Sequence, residues 1–102
     1  MQETEIELPA GFPGEKLPDL IERCADAEGL GTTLKGSLSR YPGCVHWHFK
    51  RGRERGTLEA TYWPVEQRLW LSVQSGRTGE WTDSAVLRLQ ATLRSALETH
   101  RE

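Results

Sequence analysis

At 102 residues the chain has room for one domain with a modest core and not for two. Hydrophobic residues make up 36% and charged residues 27%, and the net charge of −2 offers no global attraction to nucleic acid or to an anionic membrane. Two cysteines, Cys24 and Cys44, do not form a disulfide framework, and no apolar stretch approaches the roughly 20 residues of a membrane span, so the expected setting is reduced, cytoplasmic and free of membrane.

Residues 1–12 read as a separate lead, either an edge strand or a loose segment, since Ile6 and Leu8 alternate with glutamates. Residues 13–102 read as a single domain. Phe12-Pro13-Gly14 signals a turn, and residues 17–27 carry a helix with Pro18 in its first turn, where the missing N–H is harmless. Leu17, Leu20, Ile21 and Cys24 form its apolar stripe, Asp19, Glu22 and Asp26 lie on another side, and Gly29 suits the position that ends it.

Four strands are expected next, at about residues 32–40, 44–50, 57–63 and 68–74. The clearest is Cys44-Val45-His46-Trp47-His48-Phe49-Lys50, in which polar and apolar residues alternate without a break. Strand side chains point to opposite faces in turn. Val45, Trp47 and Phe49 therefore share a core face with Leu58, Ala60, Tyr62, Leu69, Leu71 and Val73, and Leu34 and Leu38 are expected to join them. Val86, Leu89, Leu93, Ala96 and Leu97 recur at helical spacing over about residues 83–99, with Thr82 or Asp83 as N-cap. The expected fold is an α+β two-layer sandwich of order α-β-β-β-β-α, an antiparallel meander with both helices on one face.

Tight hairpins put His48 opposite Glu59, with Ser37 and Ser72 outside them. His46 falls opposite Thr61, flanked by Ser39 and Trp70, and Cys44 falls beside Trp63, with Arg68 beyond. Trp63 and Trp70 on a solvent-facing sheet surface are either covered by a loop or the N-terminal segment, or they are binding anchors, Trp being enriched at interface hot spots. Cys44, His46, His48 and Glu59 are candidate metal ligands, although zinc asks for a fourth group or water. The plainer reading is a cross-strand His–Glu pair. Lys50, Arg51, Arg53 and Arg55 crowd one hairpin that suits phosphate backbones, although such runs are commonly just solvated.

Gly56-Thr57, a strand, a Pro-containing turn and Gln67-Arg68-Leu69-Trp70-Leu71-Ser72 together resemble a hairpin of the frataxin family. The general plan of acidic first helix, antiparallel sheet and closing helix is similar too. The resemblance implies that the open sheet face, Trp70 included, docks a cysteine desulfurase assembly. It also implies that Asp19, Glu22 and Asp26 form an acidic ridge that binds iron weakly.

The primary expectation is a non-enzymatic module that recognises a protein, or a second copy of itself, through the open sheet face. Trp63 and Trp70 are its anchors, His46, His48, Glu59 and Arg68 its polar contacts, and no cofactor is implied. The alternatives are a frataxin-like iron-binding regulator of sulfur transfer and a nucleic-acid module built on residues 50–55. An enzyme is not expected, because no nucleophile–base pair, phosphate loop or metal motif has the spacing that chemistry demands, and outside the iron-ridge alternative no metal is expected.

Overall fold

The computed structural model describes residues 2–99. Its elements are β1 (Gln2–Ile6), α1 (Leu17–Ala27), β2 (Gly31–Gly36), β3 (Val45–Lys50), β4 (Leu58–Trp63), β5 (Arg68–Val73) and α2 (Thr82–Thr99). The strands form one antiparallel sheet in the order β1-β5-β4-β3-β2. The fold is α+β, as expected, but the sheet has five strands and is not a simple meander. The N-terminal lead is its fifth strand, crossing past α1 to pair with β5 from Gln2 opposite Val73 to Ile6 opposite Leu69. Ile6 enters the core.

The helix α1 ends as its sequence dictates. Gly29 takes a left-handed φ of +77°, its N–H donates to the Asp26 carbonyl, and the Leu30 N–H donates to the Ala25 carbonyl, which satisfies the last turn. Buried Leu17, Leu20, Ile21 and Cys24 face the sheet. The start of α2 differs from expectation: Trp81 precedes its first helical residue, and the Thr82 hydroxyl turns back to donate to the Gly79 carbonyl.

One core gathers α1, α2 and the face of the sheet that carries Trp47, Phe49, Leu58, Ala60, Tyr62, Leu69, Leu71 and Val73. Each Val, Leu and Phe side chain among them contributes about 1.5–3 kcal/mol on burial. Trp47 is closed off completely, and its indole N–H donates to Glu22 of α1 at 2.9 Å. Glu22 also meets Lys35 of β2 at 2.7 Å, so one carboxylate fastens the helix to two strands. These partners, Lys35 first and then Trp47, hold its pKa below the usual carboxylate value.

The expected first strand of the meander needs correction. It stops at Gly36, and its pairing with β3 shifts between Thr32 and Leu34. The extra residue reverses every side chain beyond it. Leu34 therefore lies opposite His48 on the open face, 46% exposed, instead of entering the core, and Lys35 lies opposite Trp47 and reaches the helix layer. Ser37 and Ser39 lie in the following loop, so neither flanks a histidine. The other cross-strand rows are as expected: His48–Glu59–Ser72, His46–Thr61–Trp70 and Trp63–Arg68.

Candidate functional site: a buried His–Glu cluster under a loop

Among the described residues no helix covers the second face of the sheet, yet much of it is dry. His46, Glu59, Thr61, Trp70 and Ser72 are all buried. The cover is the loop between β2 and β3. Tyr41 N–H donates to the Leu38 carbonyl and Cys44 N–H to the Tyr41 carbonyl, two successive tight turns that fold the loop back on itself. The Cys44 sulfur accepts the Leu38 N–H at 3.3 Å and pins the base. Cys44 is thus a buried element of the loop and stands apart from the histidines.

Folded this way, the loop sets Tyr41 edge-on to both Trp70 and Trp63, with ring centroids 5.0 Å apart in each case. Arg68 lies 4.7 Å above the Trp70 ring and donates two hydrogen bonds to Glu5 of β1, at 3.0 and 2.9 Å. That pair lowers the Glu5 pKa and raises that of Arg68. Trp70 is consequently 4% exposed and is not a free anchor, contrary to expectation. Of the two proposed anchors, only Trp63 reaches solvent; it is half-buried, and its indole N–H donates to the Pro42 carbonyl at 3.0 Å. Arg68, expected as a partner contact, is already engaged inside the chain.

Beneath the loop, Glu59 on β4 faces His46 and His48 on β3. His46 Nε2 lies 3.2 Å from Glu59 Oε1, and His48 Nε2 lies 3.8 Å from Oε2. The two imidazoles meet edge to face at 5.1 Å. Burial pushes the His46 pKa down, against the opposing pull of Glu59, and so favours the neutral ring. A carboxylate only accepts hydrogen bonds, so the proton of that neutral ring sits on Nε2 and donates to Glu59. His46 Nδ1 then accepts from the Thr61 hydroxyl at 2.8 Å. A cavity of about 100 Å³ adjoins the cluster, walled by His46, Glu59 and Thr61 below and by Leu38, Arg40 and Tyr41 above.

A fourth member of the cluster escaped the sequence reading. Arg77, on a turn after β5, places Nη1 3.8 Å from Glu59 Oε2. It is held there because its segment is laced to the end of the 51–57 loop. Thr57 N–H donates to the Arg77 carbonyl at 2.9 Å, and Trp81 Nε1–H donates to the Arg55 carbonyl at 2.8 Å. Gly56 and Gly79 allow this approach, since a Cβ on Gly79 would overlap the Arg55 carbonyl. The sequence signal was the pair of glycines flanking Arg77, Gly76 and Gly79, but nothing local indicates which strand the turn will meet.

The other candidate residues lie away from this cluster. On α1, Asp19 pairs with Arg23 at 3.4 Å, Glu22 is committed to Lys35 and Trp47, and Asp26 is exposed. The supposed iron ridge therefore has one carboxylate already spent on the fold. In the basic hairpin, Arg51 pairs with Glu54 at 3.5 Å, Arg53 and Arg55 are exposed, and Lys50 is half-buried at the end of β3. No described helix is long and apolar enough to cross a membrane. Comparison with protein-family models, curated proteins and solved structures finds no match to this chain.

Proposed function

We propose that the domain is a non-enzymatic binding module that recognises a protein partner through one end of its open sheet face. The observation that carries this reading is the apolar rim around residues 41–43. Val65 is 69% exposed and lies against the Gly43 position, Trp63 is half-buried against Pro42, and Tyr41 packs between Trp63 and Trp70. Arg40 lies 5.6 Å over the Tyr41 ring. Tyr, Trp and Arg together are the side chains that dominate protein interfaces, because they combine large apolar area with a polar group that fixes orientation. Arg40 selects a partner whose apolar anchor stands beside a carboxylate. Trp70 and Arg68 support the rim from beneath, and the buried His46 and Glu59 stay out of contact.

The test is to purify a candidate partner captured by the tagged domain and to titrate it directly against wild type, Trp63→Ser, Val65→Asp and the remote control Leu87→Ser. Circular dichroism first checks that each variant folds. The rim variants are expected to weaken binding by about 30-fold, the size of a hot-spot loss, and Leu87→Ser to leave it unchanged. Equal affinity in all four proteins overturns the reading. So does recovery that depends on nuclease-sensitive material, which transfers the role to Arg51, Arg53 and Arg55. Concentration-dependent sedimentation abolished by Val65→Asp would replace the separate partner with a second copy of the chain.

A further inference from the structure

The buried cluster has a geometry that a cross-strand ion pair does not require. Glu59 is 4% exposed on a face with no described helix, and its hydrogen bond from His46, at 3.2 Å, is at the long end of the usual range. Its two oxygens diverge instead towards two different imidazoles, at 3.2 and 3.8 Å. The second separation is too long for a hydrogen bond. One nitrogen or oxygen from each of His46, His48 and Glu59 can be chosen so that all three lie within 4.8 Å of one another. Ligand atoms about 2.1 Å from a tetrahedral ion lie roughly 3.4 Å apart, which falls between these separations. The Cα positions of alternate strand residues are too far apart for this on their own; it is the leaning of the two rings over Glu59 that brings the nitrogens within reach.

From this arrangement, we propose that His46, His48 and Glu59 bind one divalent first-row transition-metal ion, with zinc as the type case. Two imidazoles and one carboxylate make a donor set suited to such ions and too rich in nitrogen for magnesium or calcium. The fourth position faces the adjoining cavity, whose volume of about 100 Å³ admits water. Thr61 is the orienting partner. When Nε2 of His46 coordinates the ion, the ring proton moves to Nδ1, which then donates to the Thr61 hydroxyl at the separation of 2.8 Å already present. The proton balance is even, since one tautomer of the neutral ring replaces the other. Arg77 opposes the ion, because its guanidinium stands 3.8 Å from Glu59 Oε2. Its side chain is 53% exposed, so it withdraws into water when the ion enters.

The experiment is calorimetric titration of chelator-treated protein with zinc at neutral pH, with cobalt absorption in the visible range as a second readout. Wild type is expected to bind one ion per chain at micromolar affinity or better, with tetrahedral cobalt bands and a metal-dependent rise in melting temperature. His48 is half-buried, so His48→Asn keeps the fold and is expected to weaken binding by more than about 100-fold, while Thr61→Val costs about 10-fold. Arg77→Gln is expected to strengthen binding several-fold, an effect that a purely structural network does not predict. His100→Asn serves as the control for binding by the third histidine of the chain. Absence of saturable binding in wild type overturns the proposal, and so does affinity that survives in His48→Asn or disappears in His100→Asn.

Discussion

Trp47 and Trp70 sit on opposite faces of one sheet, and both are shut away from water by different means. Trp47 lies under the helix layer, on a strand whose partners Ala60 and Leu71 are apolar, and Glu22 of α1 takes its N–H. Trp70 lies beside Thr61 under Tyr41 and Arg68, with an irregular loop as its roof. The first burial comes from an amphipathic helix meeting an amphipathic sheet, which is the main source of stability in such folds. The second comes from two tight turns and a cysteine sulfur. That is enough to keep His46 and Glu59 dry, and light enough to leave a cavity beside them.

The difference predicts unequal penalties. Trp47→Ala is expected to cost about 3–5 kcal/mol, the usual range for an aromatic ring removed from a closed core, and to leave little folded protein. Trp70→Ala is expected to cost about half as much, because the loop above it can settle into the space. Urea denaturation followed by far-ultraviolet circular dichroism measures both, and equal losses would mean that the loop is as rigid a cover as the helices.

Gly79→Ala falls between the two, at about 3 kcal/mol, because its Cβ would run into the Arg55 backbone carbonyl, which cannot swing aside. Its diagnostic effect is on the open face alone. With the turn displaced, Arg77 leaves Glu59, and the imidazole resonances of His46 and His48 shift while the methyl resonances around Trp47 do not. Tyr41→Ala is a smaller change, about 1–2 kcal/mol, that lifts the roof. Iodide quenching of tryptophan fluorescence is expected to rise as Trp70 opens, and unchanged quenching would place the cover elsewhere in the loop.

The smallest effect belongs to the helix-covered side. Glu22→Gln removes a charge-assisted tie between α1 and the sheet, at about 1 kcal/mol. Its pH dependence has a definite sign. Lys35 and the Trp47 N–H hold the folded-state pKa of Glu22 below the ordinary carboxylate value, so its contribution is complete above that ordinary value and fades as the pH falls through the depressed one. Stability curves of wild type and Glu22→Gln should converge in acid and separate towards neutrality. Parallel curves would show that the tie contributes nothing.

Most of the scaffold was legible because its signals are local. Alternation in residues 44–50, 57–63 and 68–74 assigned each side chain to a face, and the turns between them set the rows His48–Glu59–Ser72 and His46–Thr61–Trp70. The helix α1 was readable from its stripe to its closing Gly29. Two residues expected in the core are not there: Leu34 sits beyond the bulge in β2, where one extra residue inverts the pattern and the composition of Gly31–Gly36 gives no warning, and Leu38 lies in the loop past Gly36, where it walls the cavity on the open face. The pairing of β1 with β5 was equally hidden, since alternating glutamates suit an edge strand and a free segment alike.

By itself, then, the chain of residues determined β3, β4 and β5, their faces and the row that sets His48 opposite Glu59, because side-chain direction in a strand follows from covalent geometry and hairpin register alone. Only the tertiary structure decided that Tyr41 covers Trp70, that Arg68 is held by Glu5 on a strand 63 residues away in sequence, and that Arg77 arrives at Glu59. Those contacts depend on where loops land after the sheet has formed. A loop's landing is set by steric fit and by a few long-range hydrogen bonds, neither of which has a period along the chain.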